Sequence, residues 1–171
     1  MNLQLKKVNN KNMALVLKPG MIGFEDSILS PTIFLAGSIE MGAAEEWQSV
    51  IEKTFENEEV TFFNPRRNDW DSSWHHNGEQ FNTQVNWELN ALDESDIIFM
   101  YFSPETKSPI SLLELGLYAD HRKMIVVCPD GFWRKGNVSV VCTRYSIPMF
   151  NTFEEGVFAL RTAIKKNQTL Y

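Results

Sequence analysis

Asp96-Ile-Ile-Phe-Met-Tyr-Phe102, Ser108-Pro-Ile-Ser-Leu-Leu-Glu-Leu-Gly-Leu-Tyr-Ala119 and Met124-Ile-Val-Val-Cys128 follow one another within residues 96–128. The outer two runs are short, apolar and rich in β-branched and aromatic residues, as strands covered on both faces are. Between them, Ser108 reads as an N-cap with Pro109 at the first helical position, opening a helix that runs to about Arg122. Two buried strands joined through a helix need a crossover, which makes them parallel.

The same alternation extends outward. Thr32-Ile-Phe-Leu-Ala36 and Val60-Thr-Phe-Phe63 are further buried-strand candidates. The stretch 43–56 places Ala44, Trp47, Val50, Ile51 and Phe55 at helical spacing, and 79–94 does so with Val85, Leu89 and Leu92. Thr152 and Glu155 have capping-box spacing for a last helix ending near Lys166. A fifth strand fits 146–150, interrupted by Pro148. The pattern predicts an α/β fold, a mostly parallel five-stranded sheet with helices on both faces. Residues 1–31, punctuated by Pro19, Gly20, Gly23 and Pro31, read as an arm or edge strand before a main domain at 32–171.

Composition bounds the function. The chain has 171 residues, with 16 Lys plus Arg against 22 Asp plus Glu, a formal charge of −6. With 43% hydrophobic residues it can bury a core, which excludes a disordered chain. The acidic balance argues against a broad duplex-binding surface. No apolar run is long enough to span a bilayer, and the N-terminus lacks the apolar stretch of a secretory signal, so a cytoplasmic protein is expected. Cys128 and Cys142 lie in or beside apolar segments and read as reduced core residues.

Ligands of such sheets bind at the carboxyl ends of the strands, which nominates the loops at 37–41, 64–78, 103–108 and 129–137. Nearby, Glu114 is the only ionisable carboxylate in a nearly apolar helical window. Two readings fit it: a buried acid with a perturbed pKa of the kind found in active sites, or a member of a narrow polar stripe with Ser111. Glu88 sits on the shoulder of its helix, and either faces solvent or points toward the sheet. Paired acids from two helices suit glycosidic-bond chemistry, one as nucleophile and one to manage the leaving-group proton.

Asp69 and Trp70 offer an acceptor beside an aromatic face, suited to a sugar or a planar base, and Arg66 and Arg67 suit a phosphate or nearby acids. His75 and His76, with Asp69 and Asp71, invite a metal reading, but adjacent histidines rarely point to one ion and no third ligand is regularly spaced, so no metal is expected, and the leading activity given below calls for no organic cofactor. Gly37 and Ser38 end the first strand of the main domain and present backbone N–H groups suited to a phosphate. The segment from Gly131 to Asn137 reads as a lid, a subunit contact or a solvated connection.

Ile33-Phe-Leu-Ala-Gly-Ser-Ile39, Asn64-Pro-Arg-Arg67 with Asp69-Trp-Asp71, Gln84-Val-Asn-Trp-Glu-Leu89 and Leu113-Glu-Leu-Gly116 together resemble the nucleoside 2-deoxyribosyltransferase family, especially its deoxyribosyltransferase-like branch. The resemblance runs from about Thr32 to Asn137. It implies a flavodoxin-like sheet and a retaining double displacement at the anomeric carbon of a nucleoside, with Glu114 as nucleophile. Glu88 matches an active-site aspartate of the family, implying a part in orienting Glu114 and protonating the departing base. Asp69 and Trp70 would contact base or sugar. Asn137 resembles an asparagine donated by a neighbouring subunit, implying at least a homodimer.

Two departures bear on the activity. Phe34 stands where the well-studied transferases have a tyrosine. The Gly37-Ser38-Ile39 turn and Ser108 resemble the branch that hydrolyses 2′-deoxynucleoside 5′-monophosphates, whose serines hold the phosphate. The leading expectation is transfer of 2-deoxyribose between nucleobases in nucleotide salvage. Its rivals are hydrolysis of nucleoside monophosphates and a nucleotide-binding module without turnover.

Overall fold

A computed structural model describes residues 13–21, 27–39, 44–67 and 78–168. Asp69 and Trp70, with His75 and His76, lie outside the described residues. Six strands form one all-parallel sheet: β1 Leu15–Leu17, β2 Thr32–Gly37, β3 Thr61–Phe63, β4 Ile97–Tyr101, β5 Met124–Val127 and β6 Met149–Phe150. Their order is β1-β3-β2-β4-β5-β6. Leaving out β1, this is the flavodoxin-like order, and β1 adds an edge strand beside β3.

Alternate strand residues feed two cores. Phe34, Ala36, Ile98 and Met100 face one side, covered by helices α2 (Glu79–Glu94), α3 (Pro109–Tyr118) and α4 (Lys135–Tyr145). Ile33, Leu35, Phe99 and Tyr101 face the other, covered by α1 (Trp47–Thr54) and α5 (Phe153–Gln168). No helix among the described residues is long and apolar enough to cross a membrane.

Several local expectations change. Pro148 immediately precedes β6 and does not prevent it from pairing, because its carbonyl accepts from Val126 N–H while its missing N–H is not needed there. α1 starts at Trp47, leaving Ala44 before it and Val50 exposed. α2 buries Gln84, Ala91 and Leu92, with Leu89 at its rim. α4 has no counterpart in the sequence pattern, since Gly136 and its β-branched residues weaken both helix propensity and amphipathic signal. Asn137 therefore sits in the first turn of a helix rather than in a loop.

Chain order reverses between β2 and β4, so their carboxyl ends flank the crevice where this fold places ligands. Gly37 is needed for their close approach. Its φ is +133°, and a Cβ there would lie 2.2 Å from the Tyr101 carbonyl oxygen. We expect Gly37→Ala to lower stability by roughly 3 kcal/mol, from left-handed backbone strain and a clash with main chain that cannot move aside. Denaturant unfolding checks this, and an unchanged midpoint contradicts it.

Candidate active site

Helix α3 is turned against its apparent amphipathicity. Ile110, Leu113 and Leu117 are 60%, 59% and 52% exposed, whereas Ser111, Glu114, Leu115 and Tyr118 are buried. Glu114 thus belongs to the stripe shared with Ser111, but that stripe faces the protein interior. The orientation is fixed from the far end of the helix. Tyr118 Oη donates to Asp93 Oδ1 of α2 at 2.7 Å, and Lys123 Nζ closes the end of α2 on the carbonyls of Leu92 and Asp93 at 2.7 and 2.9 Å.

Glu114 is 8% exposed, and desolvation together with the nearby charge of Glu88 pushes its pKa up to about 8. Glu88 is also raised by burial, an effect opposed by a hydrogen bond from Gln84. Two desolvated carboxyls, one of them raised further by the charge of the other, do not both ionise readily, so near neutrality the pair holds a proton on Glu114. The structure brings Glu114 and Glu88 together from α3 and α2.

Gln84, 2% exposed, links this pair to the loop after β3. Its Nε2 donates to Glu88 Oε1 at 2.6 Å and to the Pro65 carbonyl at 3.3 Å, while its Oε1 accepts from Arg67 Nη1 at 3.3 Å. Arg67 therefore reaches the acid pair through an amide. Arg66 turns the other way, its guanidinium donating to the carbonyls of Ala44 and Glu45 and to Gln48 Oε1.

At the carboxyl ends of β2 and β4, three hydroxyls meet, and Thr106 Oγ1 also donates to the Ser103 carbonyl at 2.9 Å. Ser38 Oγ lies 2.6 Å from Ser108 Oγ and 2.7 Å from Thr106 Oγ1, which are 2.8 Å apart, and it accepts from Ser103 N–H at 2.9 Å. The Ser38 carbonyl accepts from Trp47 Nε1 at 2.9 Å. Ser38 is fully buried, so its hydroxyl shapes the turn from within. Ser108 occupies the N-cap position of α3 but in left-handed conformation, φ 45°, and its side chain does not cap the helix. The expected cap is overridden because its hydroxyl is drawn into the cluster.

Asn137 stands on α4. It lines a groove of about 320 Å³ between α3 and α4, together with Leu112, Leu115, Gly116, Arg134, Val138 and Val141. Glu114 instead interacts with Glu88 of α2. Two contributors were not singled out from sequence, Thr106 and Gln84. Gln84 had a usable signal in lying four residues before Glu88, which puts both on one helix face. Thr106 had none, because its role depends on three chain segments meeting.

The raised acid makes stability pH-dependent. Glu114 has a higher pKa folded, about 8, than its reference value of 4.5, so its contribution is fully present below about pH 4.5 and is lost as pH rises through 8. We expect Glu114→Gln to flatten that decline and to exceed the wild type above pH 8 by on the order of 3 kcal/mol. Urea unfolding across this range tests it, and parallel stability curves for the two proteins contradict it.

Comparison with known proteins adds to this geometry. No curated protein matches the chain. The family model described as nucleoside 2-deoxyribosyltransferase like matches residues 30–132, more than half of the chain and a span that contains both acids, Gln84 and the hydroxyl cluster. The chain belongs to the nucleoside 2-deoxyribosyltransferase-like family.

Proposed function

We propose that this protein cleaves the N-glycosidic bond of a 2′-deoxynucleoside and transfers the deoxyribosyl group to a second nucleobase, by way of a glycosyl ester on Glu114. The observation that carries the reading is the pairing of buried Glu114 with half-buried Glu88 near the β2–β4 crevice. In the first step a Glu114 carboxylate oxygen bonds to C1′ while the C1′–N bond breaks and its electron pair leaves with the base. The proton held by the pair rests on Glu114 near neutrality, passes to Glu88 as Glu114 becomes the nucleophile, and goes from Glu88 to that base. In the second step an acceptor base attacks C1′ from the vacated side, returns its proton to Glu88 and frees Glu114. Water in place of the base gives hydrolysis by the same balance.

Burial serves both steps. A carboxylate poorly solvated in its resting site costs less to desolvate on approaching the sugar, and developing oxocarbenium charge beside it is stabilised in a low dielectric. Arg67, Asp69 and Trp70 are the proposed contacts to base or sugar, with Gly37, Ser38 and Ser108 shaping the opposite wall.

A second reading is hydrolysis of 2′-deoxynucleoside 5′-monophosphates. It is favoured by the start of α3, where Ser108, hydrogen-bonded to Thr106, stands at the N-cap without its side chain capping the first-turn N–H groups, a disposition suited to phosphate. Incubation of deoxynucleosides, and separately of their 5′-monophosphates, with and without acceptor base decides between the readings. A new nucleoside supports transfer, free base alone supports hydrolysis, and saturable binding without products contradicts both. Glu114→Gln should fold and lose turnover by at least about a thousandfold; activity within tenfold of wild type removes Glu114 from the chemistry.

We also propose a homodimer or higher homo-oligomer. The outward stripe of Ile110, Leu113 and Leu117 is an apolar surface on the helix that carries Glu114, next to the groove containing Asn137. Light scattering after gel filtration should give a multimer for the wild type and a monomer for Leu113→Glu. A monomeric wild type contradicts this assembly.

A further inference from the structure

Glu88 has two carboxyl oxygens, and the structure treats them differently. Oε1 accepts the short hydrogen bond from Gln84 Nε2, at 2.6 Å. An oxygen that accepts from an amide keeps its lone pair there, so in the acid form of Glu88 the proton belongs on Oε2. The Gln84 amide has only one satisfactory orientation. Reversing it would set its carbonyl oxygen against both Glu88 Oε1 and the Pro65 carbonyl, and its amino group against the Arg67 guanidinium. Arg67, donating to Gln84 Oε1 at 3.3 Å, thereby fixes which end of the amide faces Glu88.

We propose that Gln84 is a positioning residue for leaving-group departure: locked by Arg67 and the Pro65 carbonyl, it holds Glu88 with Oε2 aimed at the departing base and stabilises the carboxylate left when that proton has gone. This rests on the reading of Glu88 as the acid that protonates the base. A hydrogen bond to a neutral carboxyl becomes charge-assisted as the carboxyl ionises and strengthens accordingly. The contact from Gln84 therefore tightens as the proton moves from Glu88 to the base nitrogen, the C1′–N electron pair departs with the base and Glu114 bonds to C1′. An interaction that grows along the reaction raises kcat rather than substrate affinity. The charged groups facing Glu88 among the described residues are Glu114 from α3, directly, and Arg67 from the loop after β3, through Gln84.

The test compares two substrates with the full chain: a deoxynucleoside, whose base leaves only with a proton, and a 2-deoxyriboside of a nitrophenol, whose leaving group needs none. For Gln84→Met on the deoxynucleoside, kcat should fall about tenfold to a hundredfold, with KM within about threefold. The alkaline limb of its kcat profile should move to higher pH, because Glu88 ionises less readily without the donor. On the nitrophenyl substrate, the rate of nitrophenolate release in the first turnover, which draws no proton from Glu88, should stay within about threefold of wild type. Gln84→Asn, which retains an amide but withdraws it from Glu88, carries the same test if Gln84→Met does not fold. Equal losses on both substrates, or no loss on either, overturn the role of Gln84 while leaving the proposed activity intact. If the wild type turns over neither substrate, the activity falls and this role falls with it.

Discussion

The structure turns on a carboxyl group kept out of water beside another carboxyl group. Placing Glu114 in the interior while Ile110, Leu113 and Leu117 face outward opposes the ordinary partition of side chains, and it is sustained only because the rest of the fold imposes it. Tyr118 and Lys123 pin one end of α3 and its connection to α2. Ser108, drawn into the hydroxyl cluster, fixes the other end against β2 and β4. Between these anchors the helix cannot rotate its acid into solvent. The cost is a folded state strained by desolvation as pH rises, the usual trade at a site that needs a group out of its ordinary protonation range.

The parallel sheet supplies the location. Order reversal between β2 and β4 opens a crevice at their carboxyl ends, and the close approach at Gly37 lets Ser38 join Ser103, Thr106 and Ser108 in one compact wall. Across it, the loop after β3 sends Arg66 into the carbonyls before α1 and Arg67 toward α2. Adjacent arginines thus separate into one that holds the loop down and one that reaches the acid pair through Gln84. The family match spans these elements together, from residue 30 to residue 132.

Much of this was legible in the sequence because it depends on local pattern. The apolar runs of β2 to β5 and the spacing of the helices between them specify a parallel sheet without long-range information, and the isolated acid at position 114 marks the helix of the candidate site. What was hidden depends on tertiary contacts. Helical spacing shows that Glu114 and Ser111 share a face but not that this face turns inward, since Ile110, Leu113 and Leu117 promise the opposite. Ser108 reads as a cap until Ser38 and Thr106 are brought to its hydroxyl. Helix α4 lacks a clear periodic signal because its β-branched residues spread around its circumference, which is why Asn137 reads as a loop residue.

In the proposed reaction, Glu114 becomes covalently attached to the sugar. The most direct measurement is mass spectrometry of the protein quenched in acid during turnover of a deoxynucleoside analogue whose fluorinated sugar slows release, followed by proteolysis. The expected result is a mass increment of one fluorinated sugar on the peptide containing Glu114, absent from Glu114→Gln. Turnover of the analogue without such an adduct, or an adduct carried on Glu88 instead, would contradict it.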